Sequence, residues 1–102
     1  MAFFTHDPFE RMDFAIAYQA EDLIKEGSVV LFQSGTGSIL ISDVKLNNTM
    51  VKDDSCRVWY PRQLITFWAS NGIAGTSETF RIEFETDAGR KISEKVTINV
   101  IL

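Results

Sequence analysis

The sequence predicts an all-β protein, a β-sandwich of about seven strands, and two observations lead to this fold class. Apolar and polar residues alternate along several short segments, which is the pattern of strands that bury one face. Turn-forming residues separate these segments at intervals of about eight to twelve residues, a spacing typical of sandwiches and barrels. One exception is the N-terminal segment, which fits two structures.

Residues 7–27 can be interpreted as a helix or as a strand. Asp7, Pro8 and Glu10 form a helix-start pattern, and apolar residues then recur at near-helical spacing up to Gly27. On this interpretation residues 8–26 form one long helix. The alternative is a strand followed by a short helix or helical turn near residues 19–26. The strand rests on an alternating apolar set: Met12, Phe14, Ile16 and Tyr18. Local propensity favours the helix, but tertiary context can override propensity.

The segment from residue 29 to residue 51 predicts two strands and a short edge. Val29–Phe32 is a compact apolar run, and Ser34–Gly37 is a turn. Residues 39–46 form the next strand, with a β-bulge near Asp43 because the apolar positions change phase there. Thr49–Val51 is at most a short edge strand.

Two further strands are predicted between residues 56 and 70. Cys56–Tyr60 is one, ended by Pro61 because proline cannot donate to a sheet ladder. Cys56, the only cysteine, is interpreted as an inert buried thiol on that apolar strand. Gln63–Ser70 is apolar on both faces and therefore predicts a central, covered strand.

The C-terminal third predicts a β-hairpin with a defined register. Asp87-Ala88-Gly89 is its turn, in which Gly89 supplies the positive φ of a three-residue loop. Pairing Thr86 with Arg90 fixes the cross-strand partners. The register sets Phe84 opposite Ile92, Phe80 opposite Val96, Glu85 opposite Lys91, and Glu94 opposite Ile82 as the one poor pair.

Composition limits the domain organisation and the partners. The chain has 102 residues, 45% of them apolar and 24% charged, which suits a single core. We divide it into an N-terminal arm, residues 1–10, and a single β-sandwich domain, residues 11–102. The net charge of −4 with scattered basic residues argues against nucleic acid. No segment approaches the ~20 apolar residues of a membrane span, so no membrane partner is expected. The first residues lack the features of a secretion signal, so synthesis in a cytoplasm is expected.

The residues that could carry catalysis or bind metals are sparse, and we expect neither an enzyme nor a cofactor. His6 is the only histidine, and Cys56 is distant from it in sequence. No His, Cys or carboxylate cluster has metal-ligand spacing. Glu83 and Glu85 project from one strand face about 7 Å apart. A charge-paired sheet face explains them better, because Lys91 lies opposite Glu85.

The aromatic residues are the candidates for partner binding. Eight Phe, two Trp and two Tyr exceed what one small core encloses, so some aromatic surface is expected to mark a contact site. The alternative is that the second sheet face is covered by the 19–26 turn. The candidate partner-binding residues are Phe3, Phe4, Phe9, Trp59, Tyr60 and Trp68.

Several motifs together resemble a known group of proteins. They are Phe67-Trp68-Ala69-Ser70, the loop Asn71-Gly72-Ile73-Ala74-Gly75-Thr76, the turn Thr86-Asp87-Ala88-Gly89-Arg90, the pair Asp7-Pro8 before Asp13-Phe14, and the acid-rich turn from Glu21 to Gly27. This pattern resembles small immunoglobulin-like virion structural proteins of tailed phages. Asn71 stands where that family has a glycine, and residues 33–62 match poorly. The resemblance implies an immunoglobulin-like sandwich and a virion setting, and it favours the strand-then-turn interpretation of residues 11–26.

Two classes of function follow as expectations. The first is a phage virion structural protein, a capsid decoration or cement subunit, with a neck or tail component as a variant. Its expected partners are the major capsid protein or other virion proteins, and further copies of itself in the particle. The second class is a stand-alone module that binds carbohydrate or a host protein through Trp59 or Trp68.

Overall fold

The computed structural model describes the backbone of residues 2–18, 22–33, 38–53 and 55–101, and their side chains from Phe4 onward. These residues form nine strands and no helix, so the all-β prediction is confirmed. The strands are β1 (Ala2–His6), β2 (Met12–Ala17), β3 (Val30–Gln33), β4 (Ile39–Leu46), β5 (Val51–Lys52), β6 (Val58–Trp59), β7 (Leu64–Asn71), β8 (Ser77–Glu85) and β9 (Lys91–Val100).

The strands form two larger sheets and one small hairpin. The first sheet has the order β1-β9-β8-β3, the second sheet has the order β2-β7-β4, and β5 pairs with β6. Strand β1 runs parallel to β9, and every other pairing is antiparallel. The inward side chains of both sheets share one apolar core, to which β7 contributes Ile65 and Phe67 and β8 contributes Phe80 and Ile82.

We call the two ends of the packed sheets apical and basal. At the apical end β1, β7 and β9 finish, and β2 and β4 begin. There the His6 Nε2–H donates to the Asn71 carbonyl at 2.9 Å, which links β1 of the first sheet to β7 of the second. The apical end carries the turn of residues 7–10 and the loop of residues 72–76. The basal end carries the β8–β9 turn at residues 87–89.

The N-terminal segment contains a strand instead of the long helix. Strand β2 pairs with β7, which buries Ile16, so the helix over residues 8–26 is wrong. The short helix predicted near residues 19–26 is also wrong for residues 22–26, while residues 19–21 lie outside the described part. The reason is that backbone groups there bond to the turn before β7 and to the end of β8. Ile24 N–H donates to the Arg62 carbonyl at 3.1 Å, and Lys25 N–H to the Glu85 carbonyl at 2.8 Å.

The predicted N-terminal arm contains a strand of the first sheet. Residues 2–6 pair in register with β9, from Ala2 opposite Val96 to His6 opposite Val100. His6 is 1% exposed, and Phe4 packs against the core. Residues 7–10 form the turn that carries the chain from the first sheet to the second.

The predicted C-terminal hairpin is confirmed in register. Phe84 lies opposite Ile92, Phe80 opposite Val96, Glu85 opposite Lys91, and Ile82 opposite Glu94. Thr86 N–H donates to the Arg90 carbonyl at 2.9 Å, and Gly89 has a φ of 87°. The bulge near Asp43 is confirmed by its φ of 52° and a register shift between Ser42 and Lys45. The predicted central strand is β7.

Cys56 is not the buried core thiol that the sequence predicted. It is exposed and has a φ of 64°, because it lies in the turn between β5 and β6 and not in a strand. Asp53 sets that turn, since its Oδ1 accepts the N–H groups of Ser55 and Arg57, both at 2.9 Å. The predicted Cys56–Tyr60 strand is therefore shortened to Val58–Trp59. The turn predicted at Ser34–Gly37 lies outside the described residues.

Candidate functional site

The two N-terminal aromatic candidates lie in β1. The Phe3 backbone pairs with Thr97 of β9. Phe4 faces the core, where its ring centroid lies 4.8 Å from that of Phe14 and 6.1 Å from that of Phe67. Phe4 therefore contributes to the packing between the two sheets and leaves little of its ring for a partner.

Trp59 and Tyr60 are neighbours with different environments. Trp59 is 9% exposed, its Nε1–H donates to Asp53 Oδ2 at 3.1 Å, and the Arg57 guanidinium lies 4.3 Å from its ring centroid. These contacts make Trp59 the anchor of the β5–β6 hairpin. Tyr60 is exposed near the basal end, where its carbonyl accepts a hydrogen bond from the Asn47 side chain at 2.9 Å.

Trp68 lies on the outer face of the second sheet. Its ring is half-buried, because the Arg11 guanidinium lies 4.2 Å from the ring centroid. Arg11 is held there by an ion pair to Asp43 at 3.1 Å. A sugar ring stacked on this face of Trp68 would have to displace Arg11.

Phe9 is the most exposed large apolar side chain that the structure describes. Its side chain is 95% exposed in the turn between β1 and β2. The turn is well defined, since Glu10 N–H donates to the Asp7 carbonyl at 3.0 Å and Phe9 N–H donates to Asp7 Oδ1 at 2.9 Å. Pro8 further limits the backbone by fixing its own φ. The phenyl ring is therefore presented to solvent on a constrained turn.

Four other exposed apolar residues lie at the same end of the sheets as Phe9. Leu40 and Met12 begin β4 and β2, Ile73 follows the end of β7, and Ile101 follows β9, where its N–H donates to the His6 carbonyl at 2.9 Å. We call these five residues the apical surface. Their exposed fractions are 95% for Phe9, 61% for Ile73, 57% for Leu40, 46% for Ile101 and 41% for Met12.

The sequence prediction named only Phe9 from the apical surface. It missed the other four members because they lie in four separate segments that meet only in the folded chain. One signal was available for Ile73, which stands in a loop between two glycines where no strand pattern would bury it.

The outer face of the first sheet contains two depressions. One, of about 410 Å³, lies beside Val30, Glu83 and Lys91. The other, of about 370 Å³, is lined by Phe32, Gln33, Thr79, Phe80, Arg81 and Lys95, and we call it the Phe32 depression. Arg81 and Lys95 are direct cross-strand partners, which places two positive charges side by side.

Two aspartates have shifted titration behaviour, and both stabilise turns. The backbone N–H of Arg57, followed by the Trp59 indole N–H, lowers the pKa of Asp53. The Thr86 hydroxyl, with a smaller contribution from the Arg90 guanidinium, lowers the pKa of Asp22. In both cases hydrogen bonds favour the charged carboxylate. These aspartates hold the β5–β6 turn and the basal end in place.

The residues weighed for catalysis are not brought together. His6 lies buried at the apical end, whereas Cys56 lies in the β5–β6 turn. Glu83 pairs with Arg81 at 2.8 Å, and Glu85 lies opposite Lys91. The part of the chain that the structure describes contains no group of three His, Cys, Asp or Glu side chains able to hold a metal ion.

Within the described residues no helix is long and apolar enough to cross a membrane.

Compared with known proteins, the sequence matches no family model and no curated protein.

Proposed function

We propose that this protein is a structural component of a phage virion, a decoration or cement subunit that attaches to the capsid lattice through the apical surface. The observation that carries the proposal is the concentration of exposed apolar side chains at one end of the packed sheets. Apolar patches of this kind mark protein contact sites. The motifs that resemble phage virion proteins support the virion setting, and localisation in the virion is part of the proposal.

An immunoglobulin-like arrangement is part of the same proposal. In that fold one sheet contains strands G, F and C and the other contains strands B, E and D. The orders β1-β9-β8-β3 and β2-β7-β4 are compatible with it, if β2, β4 and β7 are strands B, D and E. The β5–β6 hairpin is then an insertion between D and E, which leaves seven strands in the two sheets. One departure is the inter-sheet disulfide of antibody domains, which a chain with a single cysteine cannot form.

The apical surface suits repeated, weak attachment. Burying an exposed Leu or Ile side chain contributes roughly 1.5–3 kcal/mol, while association has its own entropic cost. A few such contacts give modest affinity for one copy. On a symmetric lattice, many copies would attach at once, and multivalent contacts between copies would add to occupancy.

The test is binding of variant proteins to assembled capsids, measured by cosedimentation. Ile73→Ser removes an apolar side chain from the apical surface, where it is 61% exposed. Met50→Ser is the matched control, since Met50 is 62% exposed but follows the basal end of β4. The proposal predicts reduced occupancy for Ile73→Ser and wild-type occupancy for Met50→Ser.

Three outcomes would contradict the capsid proposal. Equal binding by both variants would show that the apical end is not the attachment surface. Binding to purified necks or tails but not to heads would favour a neck or tail component. Glycan binding by the free monomer that is lost in Trp68→Ala would favour the carbohydrate-binding alternative.

A further inference from the structure

The turn of residues 7–10, which we call the Phe9 turn, presents Phe9 as a candidate interface anchor. Its ring is 95% exposed, and the turn that carries it is fixed by two hydrogen bonds to Asp7. A rigid aromatic group loses little conformational entropy when it is buried, which is why such groups dominate interface energies. Asp7 and Glu10 stand two positions before and one position after Phe9 in the sequence, so acidic residues accompany the aromatic side chain in this turn.

The Phe32 depression has complementary properties. Its volume of about 370 Å³ lies within the roughly 300–1,000 Å³ of ligand pockets. Phe32 lies on the edge strand β3 and is 45% exposed, so part of its aromatic ring is open to solvent. The Arg81 guanidinium lies 5.2 Å from the centroid of the Phe32 ring and covers part of it. An aromatic side chain placed in the depression would therefore contact the remaining part of the Phe32 ring and the Arg81 guanidinium.

The charges around the depression favour an acidic ligand. Arg81 and Lys95 lie directly opposite each other, and like charges in that position are destabilising. Glu83 offsets part of this through its ion pair to Arg81 at 2.8 Å. No carboxylate of the described residues forms an ion pair with Lys95. An incoming carboxylate would relieve the remaining repulsion.

We propose that Phe9 of one copy of this chain docks in the Phe32 depression of a second copy, with Asp7 and Glu10 beside Arg81 and Lys95. Phe9 does not fill its own depression, since it is 95% exposed. The two surfaces are different, so the contact is heterologous and joins copies head to tail into rings or chains. The inference rests on the proposed function in one respect, since Phe9 belongs to the apical surface that was proposed for attachment. It assigns Phe9 to a second copy of the chain, which leaves Leu40, Ile73 and Ile101 for contacts with the larger assembly.

The first experiment measures self-association of the purified protein by sedimentation velocity across a concentration series. We expect the wild-type protein to associate and the dissociation constant to increase at least about tenfold in Phe9→Ala, the effect of losing an interface anchor. Tyr60→Ala is the matched control, because Tyr60 is exposed and aromatic but belongs neither to the turn that carries Phe9 nor to the lining of the Phe32 depression. Wild-type protein that stays monomeric up to about millimolar concentration, the weak limit of specific contacts, would overturn the proposal.

The second experiment uses complementary variants. Phe9→Ala retains an intact depression, and Lys95→Glu retains an intact Phe9 turn. Each variant alone should be monomeric at concentrations where the wild-type protein associates, and an equimolar mixture should form a one-to-one dimer that grows no further. A mixture that stays monomeric would overturn the head-to-tail contact, as would association by Phe9→Ala alone with wild-type affinity.

The readout separates this inference from the proposed function. Self-association is measured without capsids, whereas the Ile73→Ser comparison is measured on capsids with a residue outside the Phe9 turn. A negative result for self-association would therefore leave the capsid proposal unaffected, and a negative result on capsids would leave the self-association proposal unaffected.

Discussion

Phe4 offers a direct test of whether β1 belongs to the folded core of the isolated protein. Replacing Phe4 with alanine removes a ring that lies 4.8 Å from Phe14 and 6.1 Å from Phe67, between centroids. Phe9→Ala is the same chemical change five positions later, at a side chain that is 95% exposed. The two variants therefore differ in burial and not in the atoms removed.

The expected magnitude follows from the partial burial of Phe4. A fully buried Phe→Ala change destabilises a protein by about 3–5 kcal/mol. Phe4 is only partly buried at the sheet edge, so roughly half of that, about 2 kcal/mol, is expected. For a chain of this length 1 kcal/mol corresponds to about 5 °C in Tm, so Phe4→Ala should lower Tm by about 10 °C. Phe9→Ala should leave Tm within about 2 °C of wild type, as is usual for surface changes.

Thermal unfolding monitored by circular dichroism, at a concentration where the protein is monomeric, measures both variants. Deleting residues 1–6 should lower Tm as well, because it removes β1 and its pairing with β9. Equal Tm values for Phe4→Ala and Phe9→Ala would refute this reasoning. That outcome would show that Phe4 and β1 contribute little to the stability of the isolated protein.

Three further predictions concern turns. Gly89→Val should lower Tm more than Gly89→Asn in the same thermal assay, since the φ of 87° is tolerated by Asn but not by a β-branched residue; equal shifts would contradict this. Cys56→Gly should leave the free energy of unfolding in urea unchanged or raise it by up to about 1 kcal/mol, because Cys56 is exposed and has a φ of 64°. A clear loss of stability would support the interpretation of Cys56 as a core thiol. Asp53→Asn should destabilise the protein at pH 7 but much less near pH 2. The lowered pKa of Asp53 means that its carboxylate stabilises the fold above its ordinary pKa of about 3.9, and that this contribution is lost as pH falls through the folded value. A difference between Asp53→Asn and wild type that is the same at both pH values would exclude a role for the charge.

Local sequence rules predicted those parts of the fold in which neighbours along the chain also pair in space. The β8–β9 register followed from a two-residue period and one glycine turn, because both strands and the turn are contiguous. The bulge at Asp43 followed from a change of phase within one strand. In these cases the sequence contains both partners of each contact within a short span.

Contacts between distant segments could not be predicted in the same way. The pairing of β1 with β9 joins residues more than ninety positions apart, and no local pattern indicates it. The apical surface likewise depends on four chain segments meeting at one end, so the sequence predicted only Phe9. The error at Cys56 was of another kind, because a local side-chain contact outweighed the apolar pattern: Asp53 Oδ1 accepts the N–H groups of Ser55 and Arg57 and forms a turn there.

The parallel pairing of β1 with β9 determines where added sequences would emerge. Ala2 lies beside Val96, toward the basal end, whereas Ile101 bonds to His6 at the apical end. A fluorescent protein fused ahead of Ala2 through a flexible linker would therefore extend away from the apical surface, whereas the same fusion after Ile101 would crowd it. A label should therefore be fused ahead of Ala2. Comparing particle binding of that fusion with binding of the fusion after Ile101 would report whether the apical end or the basal end faces a particle.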